Sequence, residues 1–90
     1  MKNLEIKVDK SIRPLDVNKR KAFDFIIDDK YYVSFSSNIS VPCRLLKCSE
    51  EIENGFPMRI TIELRDGSTN VLYGFEIGRT AEEAVLNQVM

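Results

Sequence analysis

Period-two alternation of apolar and polar residues, turn residues between the alternating runs, and one helix-capping pattern near the end predict an α+β fold. The expected architecture is mainly antiparallel β, about six strands in a small barrel or curled sheet, with a C-terminal α-helix packed on it. At 90 residues, two separate units would each lack the apolar surface to hold a core, so residues 1–90 read as a single domain. Hydrophobic residues at 43% and charged residues at 30% are the balance of a folding chain rather than a disordered one.

The elements follow in order. Leu4, Ile6 and Val8 alternate with Glu5, Lys7 and Asp9, the pattern of a strand with one buried and one wet face. Residues 11–21 break the alternation; Pro14, Asp16 and the basic run Lys19-Arg20-Lys21 suit a loop or a short helix. Phe23, Phe25 and Ile27, then Tyr31, Val33 and Phe35, make two alternating runs separated by Asp28-Asp29-Lys30, and so predict a hairpin turning on the aspartates. After a polar loop at 36–40, residues 41–48 predict a fourth strand, which Pro42 assigns to a strand start or a sheet edge because it lacks an amide hydrogen.

Asn54-Gly55 precedes the clearest stretch. Met58, Ile60, Ile62 and Leu64 alternate with polar residues up to Asp66-Gly67, and Val71, Tyr73, Phe75 and Ile77 alternate beyond it. Asp-Gly between such runs is a strong hairpin signal, read as a type I′ turn. Gly74 within the second run points to a bulge or a close backbone approach. Thr80 and Glu83 then form a capping box, and Ala81, Ala84, Val85 and Val89 recur on one face of the helix it starts, with Leu86 and Met90 off that face. Ile26, Tyr32, Leu46 and Leu72 fall opposite their apolar neighbours, so a second layer or a partner is expected to cover them.

The chemistry-bearing residues are few. The chain has no histidine and two cysteines, which removes the commonest general base and leaves too few soft ligands for a zinc site. Nucleophile elbows, phosphate-binding loops and dinucleotide fingerprints are absent. Asp24, Asp28 and Asp29 read as turn and surface residues, and Glu5-Ile6-Lys7 has a nuclease-like spacing that alternating charges on a strand also generate. Cys43 and Cys48, spaced to opposite faces of one strand, read as reduced thiols. No enzyme activity and no cofactor are expected. Met1–Lys10 has no apolar run of signal or membrane type, so a cytoplasmic location is the default expectation.

Two binding classes remain. A protein-interaction or regulatory module, self-associating as a homodimer through a sheet edge or apolar patch, accounts for the surplus apolar residues; the small size suits an accessory protein of a phage or mobile element. The alternative is a β-barrel binding single-stranded nucleic acid on the basic half. Residues 1–47 carry ten basic and six acidic side chains, residues 48–90 three and eight. Lys19, Arg20, Lys21, Lys30, Arg44 and Lys47 would meet phosphates, and Tyr31 or Tyr32 would stack on bases. Against it stands the pI near 5.4, and strands from the two halves can interleave their charges. Gly78–Ala84, following a hairpin, resembles the strand-to-helix junction of small antitoxin-like and integrase-arm-like domains. That likeness spans a small part of the chain and implies no activity.

Overall fold

The computed structural model describes residues 3–90. Seven strands and one short helix make up its regular structure: β1 (Ile6–Lys7), β2 (Lys30–Ser36), β3 (Ile39–Cys48), β4 (Ile52–Glu53), β5 (Phe56–Pro57), β6 (Ile60–Leu64), β7 (Thr69–Leu72) and α1 (Ala81–Leu86). All pairing between these strands is antiparallel. Five strands form one curled sheet that does not close into a barrel, and β4–β5 form a small separate hairpin.

The ten-residue β3 organises the sheet. β2 runs along one side of it, while the other side is shared by β1, opposite Ile39 and Ser40, and β6, opposite Cys43 to Cys48. Pro42 sits where that second side passes from β1 to β6. Its partner across the β2 side is Tyr32, whose amide and carbonyl both turn away to Gly78. Alternation therefore aims Pro42's ring nitrogen into the junction between β1 and β6, where no amide hydrogen is needed. So Pro42 lies inside the central strand, and the expected start or edge position is corrected. The same interruption limits the expected 4–8 strand to two residues, leaving Leu4 exposed and Val8 buried.

The expected hairpin of 23–27 with 31–35 does not form. Asp28 takes a left-handed φ of 71°, its amide donates to the Leu45 carbonyl, and the Leu45 amide donates to the Asp29 carbonyl. The segment before it lays its rings on the sheet: Phe23 and Phe25 stack at 4.5 Å, and both stack on Tyr31. β2 instead turns directly into β3 through Ser37-Asn38, with Ser37 left-handed. The type I′ turn lies elsewhere as well. Asn54 and Gly55 both have positive φ, at 54° and 83°, and close β4–β5.

At Asp66-Gly67 the hairpin is present but its loop has three residues. The Gly67 amide donates to the Leu64 carbonyl, the Leu64 amide to the Ser68 carbonyl, and Gly67 alone is left-handed. This is a type I turn followed by a glycine bulge. One residue more than a two-residue loop shifts the register by one and exchanges the faces of β7. Leu72 pairs with Ile60 and is 8% exposed, while Val71 pairs with Thr61 and is 68% exposed, the reverse of the expected order. β7 ends at Leu72, and Gly74–Glu76 form a 3-10 turn. A Cβ on Gly74 would lie 2.3 Å from the Pro57 carbonyl oxygen, so the close backbone approach expected there is real.

The core joins Tyr31, Val33, Val41, Cys43, Leu45, Ile60, Ile62, Leu64, Leu72 and Ile77. α1 lies over β2 and β3, burying Ala84 and Val85 and accepting a hydrogen bond at the Ala81 carbonyl from Ser40 Oγ. Thr80 caps it, accepting from the Glu83 amide at 3.0 Å. The Glu83 carboxylate reaches past Thr80 to the Arg79 amide at 2.8 Å, so the reciprocal half of the expected box is displaced by one residue. Residues 11–21 are a loop with a 3-10 turn at Val17–Lys19.

Candidate interaction surface

The predicted basic residues do not converge on one accessible patch. Arg20 is only 8% exposed. Its guanidinium donates to the carbonyls of Leu15 (3.0 Å), Phe75 (2.8 Å) and Gln88 (3.1 Å) and lies over the Phe75 ring. Desolvation lowers its pKa, and Glu76 and Asp16 oppose that shift. Arg20 thus ties the 11–21 loop to the C-terminal segment, with no face left for a phosphate. Tyr31 is also buried; its hydroxyl accepts from the Ile26 amide at 2.8 Å, which removes it as a stacking platform. Lys19 and Lys21 are exposed on the 11–21 loop and Lys47 is exposed on β3.

Lys30 and Arg44 do share a face, as direct cross-strand partners, and border an open groove of about 590 Å³ together with Pro42, Glu63, Leu64 and Arg65. Lys30 Nζ lies over the Tyr32 ring at 5.3 Å. Arg44 is bound on both sides, to Asp28 at 3.3 Å and Glu63 at 3.0 Å, so a cation from the basic half meets a carboxylate from the acidic half. Exposed pairs of this kind add little stability, but they neutralise the cation an anionic ligand would seek. Cys43, at the groove's base, has its thiol pushed up to about 12 by burial. It is a packed side chain and not a nucleophile at neutral pH. Cys48 is shifted in the same direction by the same cause.

No group of three or more possible metal ligands occurs among the described residues; Asp24, Asp28 and Asp29 are all exposed. Among the described residues, no helix is long and apolar enough to cross a membrane.

Apart from the two-residue β1, the sheet's edge strands are β2 and β7, and these two differ. Along β2, the outward amide and carbonyl of Tyr32 are both bonded to Gly78, and the Ser34 carbonyl accepts from the Val89 amide at 3.0 Å. The junction into α1 and the segment after it therefore close that edge. β7 is open. The Leu64 amide bonds to the Ser68 carbonyl, and this register makes Ser68, Asn70 and Leu72 the residues bonded to β6. Thr69 and Val71 then point their amides and carbonyls away from the sheet. Among the described residues nothing bonds to these groups on that side.

β7 also lacks the usual protection of an edge. Thr69-Asn70-Val71-Leu72 contains no charge and no proline, and the glycine bulge precedes the strand instead of interrupting it. Sequence reasoning missed this edge because it read Val71 as a core residue. The signal was available in the uncharged run 67–73, where an edge would ordinarily carry lysine or glutamate. Comparison of the chain with protein-family models, with curated proteins and with solved structures finds no match in any of the three.

Proposed function

We propose that the chain is a non-enzymatic protein-interaction module that works by strand addition at the β7 edge, and that a second copy of the chain is the strand it takes there. The observation that carries this reading is the contrast between edges: β2 is closed by Gly78 and Val89, whereas β7 presents, beside an exposed valine, main-chain groups at Thr69 and Val71 that are unpaired among the described residues. An added strand trades hydrogen bonds to water for protein ones, each with a net gain of roughly 0.5–1.5 kcal/mol. Association costs several kcal/mol, so the pair forms at high protein concentration, with Kd on the order of 100 μM or weaker. The reading puts the protein in the cytoplasm, where both thiols stay reduced.

Light scattering coupled to size exclusion tests it. The mass is expected to climb from the monomer value of 10.4 kDa toward twice that value as concentration rises. Val71→Pro removes an amide hydrogen that faces away from β6, so it abolishes association while leaving the β6–β7 ladder intact. A wild-type chain that stays monomeric at millimolar concentration, or a Val71→Pro dimer, refutes the proposal. The rival nucleic-acid reading predicts instead a mass shift on adding a mixed oligonucleotide pool at low salt, lost when Lys19 and Lys21 become glutamate.

A further inference from the structure

Resting on that reading, we infer that two copies pair through β7 in one register, antiparallel and two-fold symmetric about Asn70, so that Thr69 faces the partner's Val71 and Asn70 faces the partner's Asn70. The register follows from which main-chain groups are free. An antiparallel pair bonds outward-facing residues to outward-facing residues, so Thr69 and Val71 must meet their counterparts. Three symmetric arrangements keep that parity, centred on Thr69, Asn70 or Val71.

Centring on Thr69 would set Val71 against the partner's Gly67. That glycine has a φ of 89° and already donates its amide to the Leu64 carbonyl. Centring on Val71 would set Thr69 against the partner's Tyr73, whose amide is held by the Glu76 carboxylate at 2.9 Å and whose carbonyl accepts from the Glu76 amide at 3.0 Å. Centring on Asn70 alone uses both free residues of both strands, two bonded pairs exchanging two hydrogen bonds each.

The side chains agree with this choice. Asn70 lies opposite Ile62 at the margin of the core, and its amide carries both a donor and an acceptor, so two copies brought together by a two-fold axis complement each other. On the other face, each exposed Val71 is set against a threonine, and β-branched cross-strand pairs of this kind are favourable. No charge opposes its own copy across β7 in this arrangement.

Disulfide trapping separates the register from the association. In a Cys48→Ser background, with Cys43 left buried, Asn70→Cys places two thiols at a non-bonded pair with Cα atoms about 4.5 Å apart, within disulfide reach. Mild oxidation is expected to convert most of the Asn70→Cys protein to a covalent dimer, and adding Val71→Pro is expected to return it to background. Thr69→Cys alone is expected to stay monomeric, because its copies lie diagonally at about 7–8 Å. The double variant Thr69→Cys/Val71→Cys, which leaves Asn70 in place, is expected to cross-link. Cross-linking by Thr69→Cys but not by Asn70→Cys, in a protein that still dimerises by light scattering, overturns the register and leaves the edge-pairing reading standing. A chain with no dimer by scattering overturns both.

Discussion

Replacing Arg20 by methionine keeps much of the side chain's length and apolar stem and removes the guanidinium, which leaves the carbonyls of Leu15, Phe75 and Gln88 without their donor. Hydrogen bonds to a charged group contribute roughly 1.5–3 kcal/mol each, and a buried acceptor left unsatisfied costs about 1–3 kcal/mol. The guanidinium's own desolvation, visible in its lowered pKa, offsets part of the gross sum. A net loss of about 3–4 kcal/mol is therefore expected. A domain this small has a total stability in the range of roughly 5–10 kcal/mol, so the variant keeps a fold but little margin. Urea unfolding followed by far-UV circular dichroism measures it. With a slope of about 1 kcal/mol per molar urea, the midpoint falls by about 3 M. Arg20→Lys, with three donors on a single nitrogen in place of the planar fork, should recover only part of the loss. Lys19→Met and Lys21→Met, at exposed neighbours, should each change stability by less than about 0.5 kcal/mol. A shift for Arg20→Met as small as theirs would refute the claim that Arg20 ties the loop to the C-terminal segment.

Gly78→Ala would place a methyl 2.4 Å from the Ala84 amide nitrogen and 2.6 Å from the Glu83 carbonyl carbon, both rigid backbone; a loss of at least about 2 kcal/mol is expected by urea titration. Glu83→Gln should destabilise by about 0.5–1 kcal/mol at pH 7. Hydrogen bonds from Arg79 hold the Glu83 carboxyl below its ordinary value of 4.5. Its stabilising effect is therefore complete above about pH 5 and is lost as pH falls through the lower folded value. Thermal midpoints of wild type and Glu83→Gln should converge as pH falls through that lowered value, and a difference that stayed constant as the carboxyl is protonated would contradict that origin.

How much could be read in advance depended on how local each signal was. Thr80 caps α1 because a hydroxyl three residues before an amide needs nothing else from the chain. The alternation of Ile60, Ile62 and Leu64 likewise declares its own buried face. Phe23 and Phe25 show where this fails: their period of two is real, yet β2, the strand their hairpin would pair with, already has β3 on one side and Gly78 and Val89 on the other, so they cover the sheet with rings instead of joining it. Arg20 shows the failure for sites. A basic triplet reads as a surface patch until its middle member is closed in by one carbonyl of its own loop and two from distant segments.

By itself, then, the sequence determined the class of fold, the antiparallel β6–β7 hairpin and the start of the helix, because each rests on residues within a few positions of one another. Tertiary structure decided the rest: that Pro42 lies in the central strand, that Tyr31 and Arg20 are withdrawn from the surface, and that β7 is the open edge. A loop of three residues in place of two was enough to turn Val71 outward and Leu72 inward. Side chains alternate with a period of two along a strand, so one residue of register separates a core position from an interaction surface.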